Sequence, residues 1–393
     1  MKFQAAFVTG FILFFTGSSG AAVDPTNTLT IASGSESKTK DLHISTREQL
    51  GLRGPVKTCV EETTYPGVNA PDGTQIPERK SSYTTEYDVT GRILATRIGN
   101  PDGSEWVMRY GYDVSGHLLK TAWGKEGEPS TEAVYSYDDR GGLRNITDGL
   151  RPDNPVTFRY DEQGRKTKVQ VSRPADYRPN TAVAGSPFQV SDGPPNLPGG
   201  GMATTIYDEH DRPTEVQVRD AQGELVSRAV RIYDSQGRII EEKQILDNPE
   251  TIIPAEIRAK LLEESGASRE QLREQLTKVM GGHAGPFSIA YSYDNQGRVN
   301  QTRHRIFNEE GIFETTYNEH GDTATEITRR AGVNNEEKEP DIPAPVMFPF
   351  SEVRHSYQYD DHGNWIEKIT SYRSTPNGAF ESSSMRRRTL TYY

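Results

Sequence analysis

The sequence predicts an all-β fold, an antiparallel meander that forms a solenoid-like curved sheet of Tyr-Asp repeat hairpins with an α-helical hairpin inserted. Three observations predict it. One turn motif recurs nine times, and large apolar residues alternate with polar ones on either side of it. The 393 residues are only 33% hydrophobic, while Gly (36), Pro (24) and Tyr (19) are plentiful. That composition suits short strands and turns better than packed helices.

The recurring motif is Y-D-x-x-G-R followed by an apolar residue. Asp at the start of a turn accepts hydrogen bonds from backbone N–H groups, and Gly supplies the left-handed residue that closes a three-residue loop with a bulge. We therefore expect structural roles for these residues, packing for the Tyr set and turn capping for the Asp set. The predicted repeat residues are Tyr87, Asp88, Gly91, Tyr112, Asp113, Gly116, Tyr137, Asp138, Gly141, Tyr160, Asp161, Gly164, Tyr207, Asp208, Tyr233, Asp234, Gly237, Tyr293, Asp294, Gly297, Tyr317, Asn318, Gly321, Tyr359, Asp360 and Gly363.

In several copies the residues two and four positions before the motif Tyr are also large and apolar, which is the period of a strand. Examples are Tyr110 and Met108 before Tyr112. One sheet face should therefore be an aromatic and aliphatic stripe, which stacked hairpins bury together. A functional alternative is that the stripe is a stacking platform for sugars, with the motif Asp residues as polar contacts.

The first residues read as a secretory signal peptide. Lys2 is followed by an apolar run from Phe7 to Phe15 and by small residues that end at Ala22. The run is too short to span a bilayer, so we expect an exported protein, secreted or periplasmic, with no membrane span in the mature chain.

The predicted organisation alternates repeats with insertions. The segments are a signal peptide (1–22), a disordered leader (23–46), repeats one to four (47–172), a Pro/Gly-rich insertion (173–201), repeats five and six (202–246), a helical insertion (247–285), repeats seven and eight (286–330), a linker insertion (331–350), and repeat nine with a C-terminal strand (351–393). In the helical insertion, apolar residues recur at helical spacing, and Ser268 with Gln271 marks a second helix start. We expect the helices to cover an apolar sheet face, with partner binding as the alternative.

Catalytic and metal-binding motifs are missing from the sequence. It contains no G-x-S-x-G, H-E-x-x-H or phosphate loop, so no catalytic residue, metal ligand or cofactor is predicted. The single cysteine, Cys59, is expected to lie in the first strand. His210, His320 and His362 share one turn position, where solvated residues are the default and a metal site is the alternative. The net charge of -11, with no basic face, argues against nucleic acid.

The nine in-register copies resemble the RHS/YD-repeat family of bacterial Rhs proteins, insecticidal toxin-complex shells and teneurins. The resemblance covers about residues 50–393 apart from three insertions. It implies a long spiralling β-sheet that encloses a cargo or presents a binding surface. The self-cleaving core of many family shells has a D-P-x-G-L type signature, whereas the only Asp-Pro pair here is Asp24-Pro25, outside the repeats. Because the sequence ends in the repeat strand Arg388 to Tyr393, we also expect no C-terminal toxin.

Three functions follow, in decreasing order of support. The first is a non-catalytic exported binding or scaffold protein that engages glycans or other envelope or protein partners. The second is a secreted polysaccharide or cell-wall hydrolase that uses carboxylates of the insertions, such as Glu263, Glu264 or Asp192. The third is a relative of a toxin-delivery shell.

Overall fold

The computed structural model describes most of the chain after the leader. The described residues are 46–69, 74–99, 103–174, 192–197, 199–252, 255–279, 287–306, 309–332 and 348–393. The predicted signal peptide, almost all of the predicted leader, and parts of the three predicted insertions lie outside them.

Within these ranges the chain forms strands β1 (Val56–Tyr65), β2 (Val68–Asn69), β3 (Gln75–Ile76), β4 (Arg79–Tyr87), β5 (Ile93–Gly99), β6 (Glu105–Tyr112), β7 (Leu118–Lys125), β8 (Thr131–Tyr137), β9 (Leu143–Asp148), β10 (Arg151–Tyr160) and β11 (Lys166–Ser172). The second half contains β12 (Gly200–Tyr207), β13 (Pro213–Asp220), β14 (Leu225–Tyr233), β15 (Ile239–Leu246), β16 (Phe287–Tyr293), β17 (Val299–Ile306), β18 (Glu309–Tyr317), β19 (Thr323–Arg330), β20 (Ser351–Tyr359), β21 (Trp365–Arg373) and β22 (Glu381–Tyr392). Between β15 and β16 lie a 3-10 turn (Pro249–Ile252), helix α1 (Ala255–Ser265) and helix α2 (Arg269–Val279). Neither of these described helices has the length and apolar character needed to cross a bilayer.

The main sheet is a closed barrel of 20 antiparallel strands. Strands β4 to β22 pair in sequence order, and β1 pairs with β22 on one side and β4 on the other. The open, solenoid-like meander expected from the repeats is therefore wrong. The repeats specify local hairpin pairing, whereas closure depends on β1, a strand that carries no Tyr-Asp motif. Its Glu61 is the ladder partner of Arg388.

The two rims of the barrel carry different connections. All nine Y-D-x-x-G turns join strand pairs at one rim, which we call the turn rim. Because successive connections of an antiparallel sheet alternate between its ends, the three insertions leave from the opposite rim, the insertion rim. The short β2–β3 hairpin lies in the β1–β4 connection on that same side.

The sheet face that carries the motif tyrosines, here the tyrosine face, holds most of the buried strand residues. Register shifts at the motif Tyr make Tyr112 the partner of Leu118 and Tyr137 the partner of Leu143. Further residues buried on this face include Ile93, Val169, Ala203, Val216 and Ala229. A barrel of 20 strands encloses a lumen too wide for side chains to fill.

Candidate functional site

The repeat turns share one hydrogen-bonding pattern, seen clearly in the sixth copy. Asp234 Oδ1 accepts hydrogen bonds from the backbone N–H groups of Gln236 and Arg238, both at 2.9 Å. Asp234 Oδ2 accepts a third from the Arg238 guanidinium at 2.8 Å. Gly237 has φ +79°, and its N–H donates to the Asp234 carbonyl at 3.0 Å. In the fifth copy Asp211 replaces this Gly at φ 62°.

Each turn is tied to the next along the rim by a tyrosine. The Tyr293 hydroxyl donates to the Ile239 carbonyl at 2.6 Å, and the Arg238 guanidinium lies 4.5 Å from the centre of the Tyr293 ring. Burial raises the pKa of Tyr112 to about 12. The same hydroxyl-to-carbonyl bond is made by Tyr112, Tyr137, Tyr160, Tyr207, Tyr233 and Tyr317. These hydroxyls serve the fold, so this set is poorly placed to act as a sugar platform.

The three turn histidines are not brought together as metal ligands. His320 stacks on Tyr359 with ring centres 3.9 Å apart, and His362 stacks on Tyr392 at 4.2 Å. His210 lies 3.6 Å from Glu209 in another turn. Across the described part of the chain, no group of three His, Cys, Asp or Glu side chains is placed to hold a metal ion.

Cys59 and the carboxylates of the hydrolase hypothesis lie apart from one another. Cys59 is buried in β1, and burial raises the pKa of its thiol to about 11, which disfavours the nucleophilic thiolate at neutral pH. Asp192 faces Lys166 at 3.1 Å, whereas Glu264 lies 3.8 Å from Lys260 on α1. No hydrogen bond or ion pair between described residues joins Asp192 to Glu263 or Glu264.

The helical insertion packs mainly on itself. Leu272 and Leu276 of α2 form a cluster with Leu261 and Leu262 of α1. The fully buried carboxylate of Glu250 accepts hydrogen bonds from the guanidinium groups of Arg269 and Arg273. This cluster contains no strand residue, so the apolar sides of the two helices cover each other.

An exposed patch of large side chains lies on the tyrosine face near the insertion rim. We call it the aromatic platform, and it consists of Tyr83, Ile98, Trp106 and Trp123, which are 44%, 49%, 37% and 39% exposed. The two Trp rings stack with centres 5.4 Å apart and planes 24° apart. Tyr83 is the ladder partner of Ile98, and Ile98 is the partner of Trp106. Most other large side chains on this face have a smaller exposed fraction than these four, so the platform is a local exception.

The aromatic platform was not predicted from the sequence, although a signal for it was present. Counting back in twos from Tyr112 passes Tyr110 and Met108 and then reaches Trp106. The count places Trp106 on the tyrosine face, but only the folded structure shows that this part of the face is more exposed. Trp123 joins it because Met108 and Trp123 are ladder partners.

A charged cluster continues the same face at the seam where β22, β1 and β4 meet. Glu61 accepts from the guanidinium of Arg388 at 3.0 Å and lies 3.4 Å from that of Arg386. The Arg388 guanidinium lies 3.4 Å from the centre of the Trp365 ring. Lys368 is the ladder partner of Arg386. Burial, and then the neighbouring positive charge of Arg386, lower the pKa of Lys368. We call Arg386, Arg388 and Lys368 the seam cations.

Comparisons with known proteins place no family name on the chain. No family model matches it, and no curated protein matches. One similar solved structure is a porin-like protein from Bacteroides uniformis, with TM-score 0.32 and 9% identity over 86% of this chain and 98% of that one. Another is the Photorhabdus luminescens Tc holotoxin pore, with TM-score 0.35 and 15% identity over 79% of this chain and 14% of that one. At these values neither likeness carries an argument about function.

Proposed function

We propose that this protein is a non-catalytic binding module of the RHS/YD-repeat type that holds a glycan on the aromatic platform of its barrel. The family assignment is supported by the nine sequence repeats and by the shared turn pattern of their Asp, Gly and Tyr residues. Glycan binding is supported by the platform itself. The motif tyrosines then have a structural role, and residues outside the motif bind the glycan.

The observation that carries this function is the stacked and exposed pair Trp106 and Trp123. Large aromatic side chains that stay partly open to water forgo part of the roughly 1.5 to 3 kcal/mol that full burial would give each of them. Such exposed patches usually mark interaction sites. The flat C–H face of a sugar ring fits an aromatic ring, while its hydroxyls stay available to polar neighbours. Tyr83 and Ile98 extend the platform in line across two further strands.

Binding is favoured over turnover because the titratable side chains that could act in catalysis, such as Asp234, Glu250 and Cys59, are held in structural contacts or buried. Asp234 is fixed by three hydrogen bonds within its own turn. Glu250 is buried against two arginines, which, with the hydrogen bonds they donate, hold its pKa low although burial opposes this. The Cys59 thiol has a raised pKa.

The test is a glycan-array measurement on the mature chain, followed by calorimetry on hits and run beside a broad hydrolase screen. We expect Trp106→Ala and Trp123→Ala each to weaken binding about tenfold, the loss of roughly 1.4 kcal/mol of stacking. Val134→Ala is the matched control, because Val134 is 51% exposed and belongs to the opposite face. Unchanged affinity in both Trp variants, or turnover of the bound glycan, would overturn the proposal.

Export is a second part of the proposal, and it is supported by Lys2, the run from Phe7 to Phe15 and the small residues that end at Ala22. We expect mature protein that begins near Val23 in the secreted or periplasmic fraction. Leu13→Arg should block this export, because the translocation machinery recognises an apolar run. Recovery of protein that retains Met1 in the cytosolic fraction would contradict it.

A further inference from the structure

We infer that the protein has a second binding site, which takes a phosphate or sulfate group and lies on the sheet face opposite to the tyrosine face. The site is a groove over β10, β11 and β12, and we call it the basic groove. It is lined by Thr157, Arg159, Lys168, Gln170 and Met202. The aromatic platform belongs to the other face and to strands β4 to β7, so the two sites are separate.

The ladder register places two positive charges side by side in the basic groove. Arg159 directly precedes Tyr160 in β10, and successive side chains of a strand point to opposite faces of the sheet. Arg159 is the ladder partner of Lys168 in β11, and both side chains are exposed. Like charges directly opposite each other destabilise a sheet, so this pair does not serve the stability of the barrel.

Neither cation of this pair has a carboxylate partner. Among the described residues, no Asp or Glu lies within ion-pairing distance of Arg159 or Lys168. The whole chain has 56 acidic and 45 basic residues, so the lack of a carboxylate at this place is a local feature. Other strand cations of the same face do pair with an acidic side chain, for example Arg97 with Glu86, Lys120 with Glu132, Lys243 with Glu241 and Arg303 with Glu310.

A third cation borders the groove on β13. Arg219 is the ladder partner of Met202, so its side chain lies on the same face. The Arg219 guanidinium donates to the Gly223 carbonyl at 3.1 Å and to Gln217 Oε1 at 3.4 Å, and both of these acceptors are neutral. No carboxylate among the described residues is within ion-pairing distance of it. Its charge therefore adds to the positive potential of the groove.

The side chains of the basic groove offer the hydrogen-bond donors that an oxyanion needs. The Arg159 guanidinium is a planar fork that matches phosphate oxygens bidentately, and the Lys168 ammonium adds a point charge with further N–H donors. Thr157 and Gln170 are ladder partners at the adjoining position, and their hydroxyl and amide groups can also donate. A phosphate or sulfate monoester has more free oxygens than a carboxylate, so it can accept from both strands at once.

The experiment is calorimetry of the mature chain at low salt with inorganic phosphate, inorganic sulfate, methyl phosphate and acetate. We expect saturable binding of at least one tetrahedral oxyanion, and binding of acetate that is weaker by about tenfold. Methyl phosphate distinguishes an ester from the free ion as the preferred ligand. The affinity should fall in high salt, because screening weakens exposed charge pairs. If none of the three oxyanions bound saturably, or if acetate bound as tightly as they do, the inference would be overturned.

Variants locate the binding in the groove. Arg159→Gln and Lys168→Gln should each weaken oxyanion binding about tenfold, since each removes a hydrogen bond between charged groups. Lys120→Gln is the matched control, because it removes one positive charge from the same face, but Lys120 is already paired with Glu132. An equal loss of affinity in Lys120→Gln would show that only the overall charge matters, and it would overturn the inference.

Melting temperatures check the folding of these variants and provide a second measure of binding. Removal of one of two opposed like charges should leave the melting temperature at or above that of wild type. The oxyanion should raise the melting temperature of wild type, because it binds the folded state, but not that of Arg159→Gln. Trp106→Ala should bind the oxyanion as wild type does, so a failure of glycan binding leaves this inference intact. Loss of oxyanion binding in Trp106→Ala would contradict a separate site.

Discussion

Arg53 and Asn364 exchange two hydrogen bonds across 311 positions of sequence. The Arg53 backbone N–H donates to Asn364 Oδ1 at 2.6 Å, and Asn364 Nδ2 donates to the Arg53 carbonyl at 2.9 Å. The Arg53 side chain also donates to the carbonyl of His320 at 2.7 Å. Asn364 occupies the position that Arg holds in five of the nine motifs, and here the N-terminal segment docks beside the strand that closes the barrel.

Replacing Asn364 should weaken closure. Asn364→Ala removes the partners of the Arg53 N–H and carbonyl groups at a part-buried contact, which should cost about 1 to 3 kcal/mol of unfolding free energy. Asn364→Arg restores the motif residue and should also destabilise, since Asn364 is only 1% exposed and a longer side chain would displace Arg53. Urea unfolding measures both, with Gln296→Ala in an exposed turn as the control. If Asn364→Arg proved more stable than wild type, the contact with Arg53 would not be the reason why Asn stands at this position.

The sequence could predict the local elements because the information for them is local. The Asp and Gly of each motif specify a turn, and alternation from Tyr112 through Tyr110 to Met108 specifies which side chains share a face. Closure could not be predicted in this way. It depends on β1, whose residues carry no motif, and on pairs such as Glu61 with Arg388 that are 327 positions apart. Closure also brings the seam cations beside Glu61 of β1, so their place next to the aromatic platform was equally hidden.

The turn glycines provide a second prediction. Gly116 has φ +91°, where a β-branched residue is strained by about 1 to 3 kcal/mol, so Gly116→Val should lower the melting temperature. Gly111→Val in strand β6 is the matched control. Gly111 has no positive φ, and an added Cβ there would meet its nearest atom at an ordinary 3.8 Å. Equal melting temperatures for the two variants would remove the turn assignment.

Stability should fall in acid because of the turn carboxylates. Burial opposes their ionisation, but hydrogen bonds from Arg212 and from backbone N–H groups outweigh it and lower the pKa of Asp208 to about 2. An unfolded Asp titrates near 3.9. A carboxyl whose folded pKa is lower than its unfolded value contributes stability that is complete above about pH 4 and lost as pH falls toward 2. The pKa values of Asp88, Asp161, Asp234, Asp294 and Asp360 are lowered in the same direction.

Melting temperatures measured from pH 6 to pH 2 check this prediction. We expect little change above about pH 5 and a steep fall below about pH 4. Asp208→Asn should lessen the fall, because an amide oxygen caps the turn without titrating. Asn318 already does so in the eighth copy, where its Oδ1 accepts from the N–H groups of His320 and Asp322 at 3.0 Å. If a variant with several such Asn replacements unfolded in acid as steeply as wild type, the groups responsible for the acid sensitivity would not be the turn carboxylates.

The last prediction concerns the helical insertion, which should unfold separately from the barrel. Glu250 is fully buried, and its carboxylate is the shared partner of Arg269 and Arg273 of α2. Both arginines are about half exposed, so Glu250→Gln frees them to turn toward water but removes the charge that fixes α2 against the 3-10 turn. We expect faster proteolysis within residues 255–279 and a smaller helical circular dichroism signal, with the barrel transition unchanged.

Glu264→Gln is the control for this variant, because Glu264 is exposed and lies 3.8 Å from Lys260 in a pair that contributes little. It should leave both the proteolysis rate and the helical signal as in wild type. The physical basis for independence is that the apolar cluster of α1 and α2 consists of their own leucines, so its loss leaves no cavity in the sheet. If Glu250→Gln instead lowered the barrel transition together with the helical one, the insertion would be an integral support of the insertion rim, and barrel closure would depend on it.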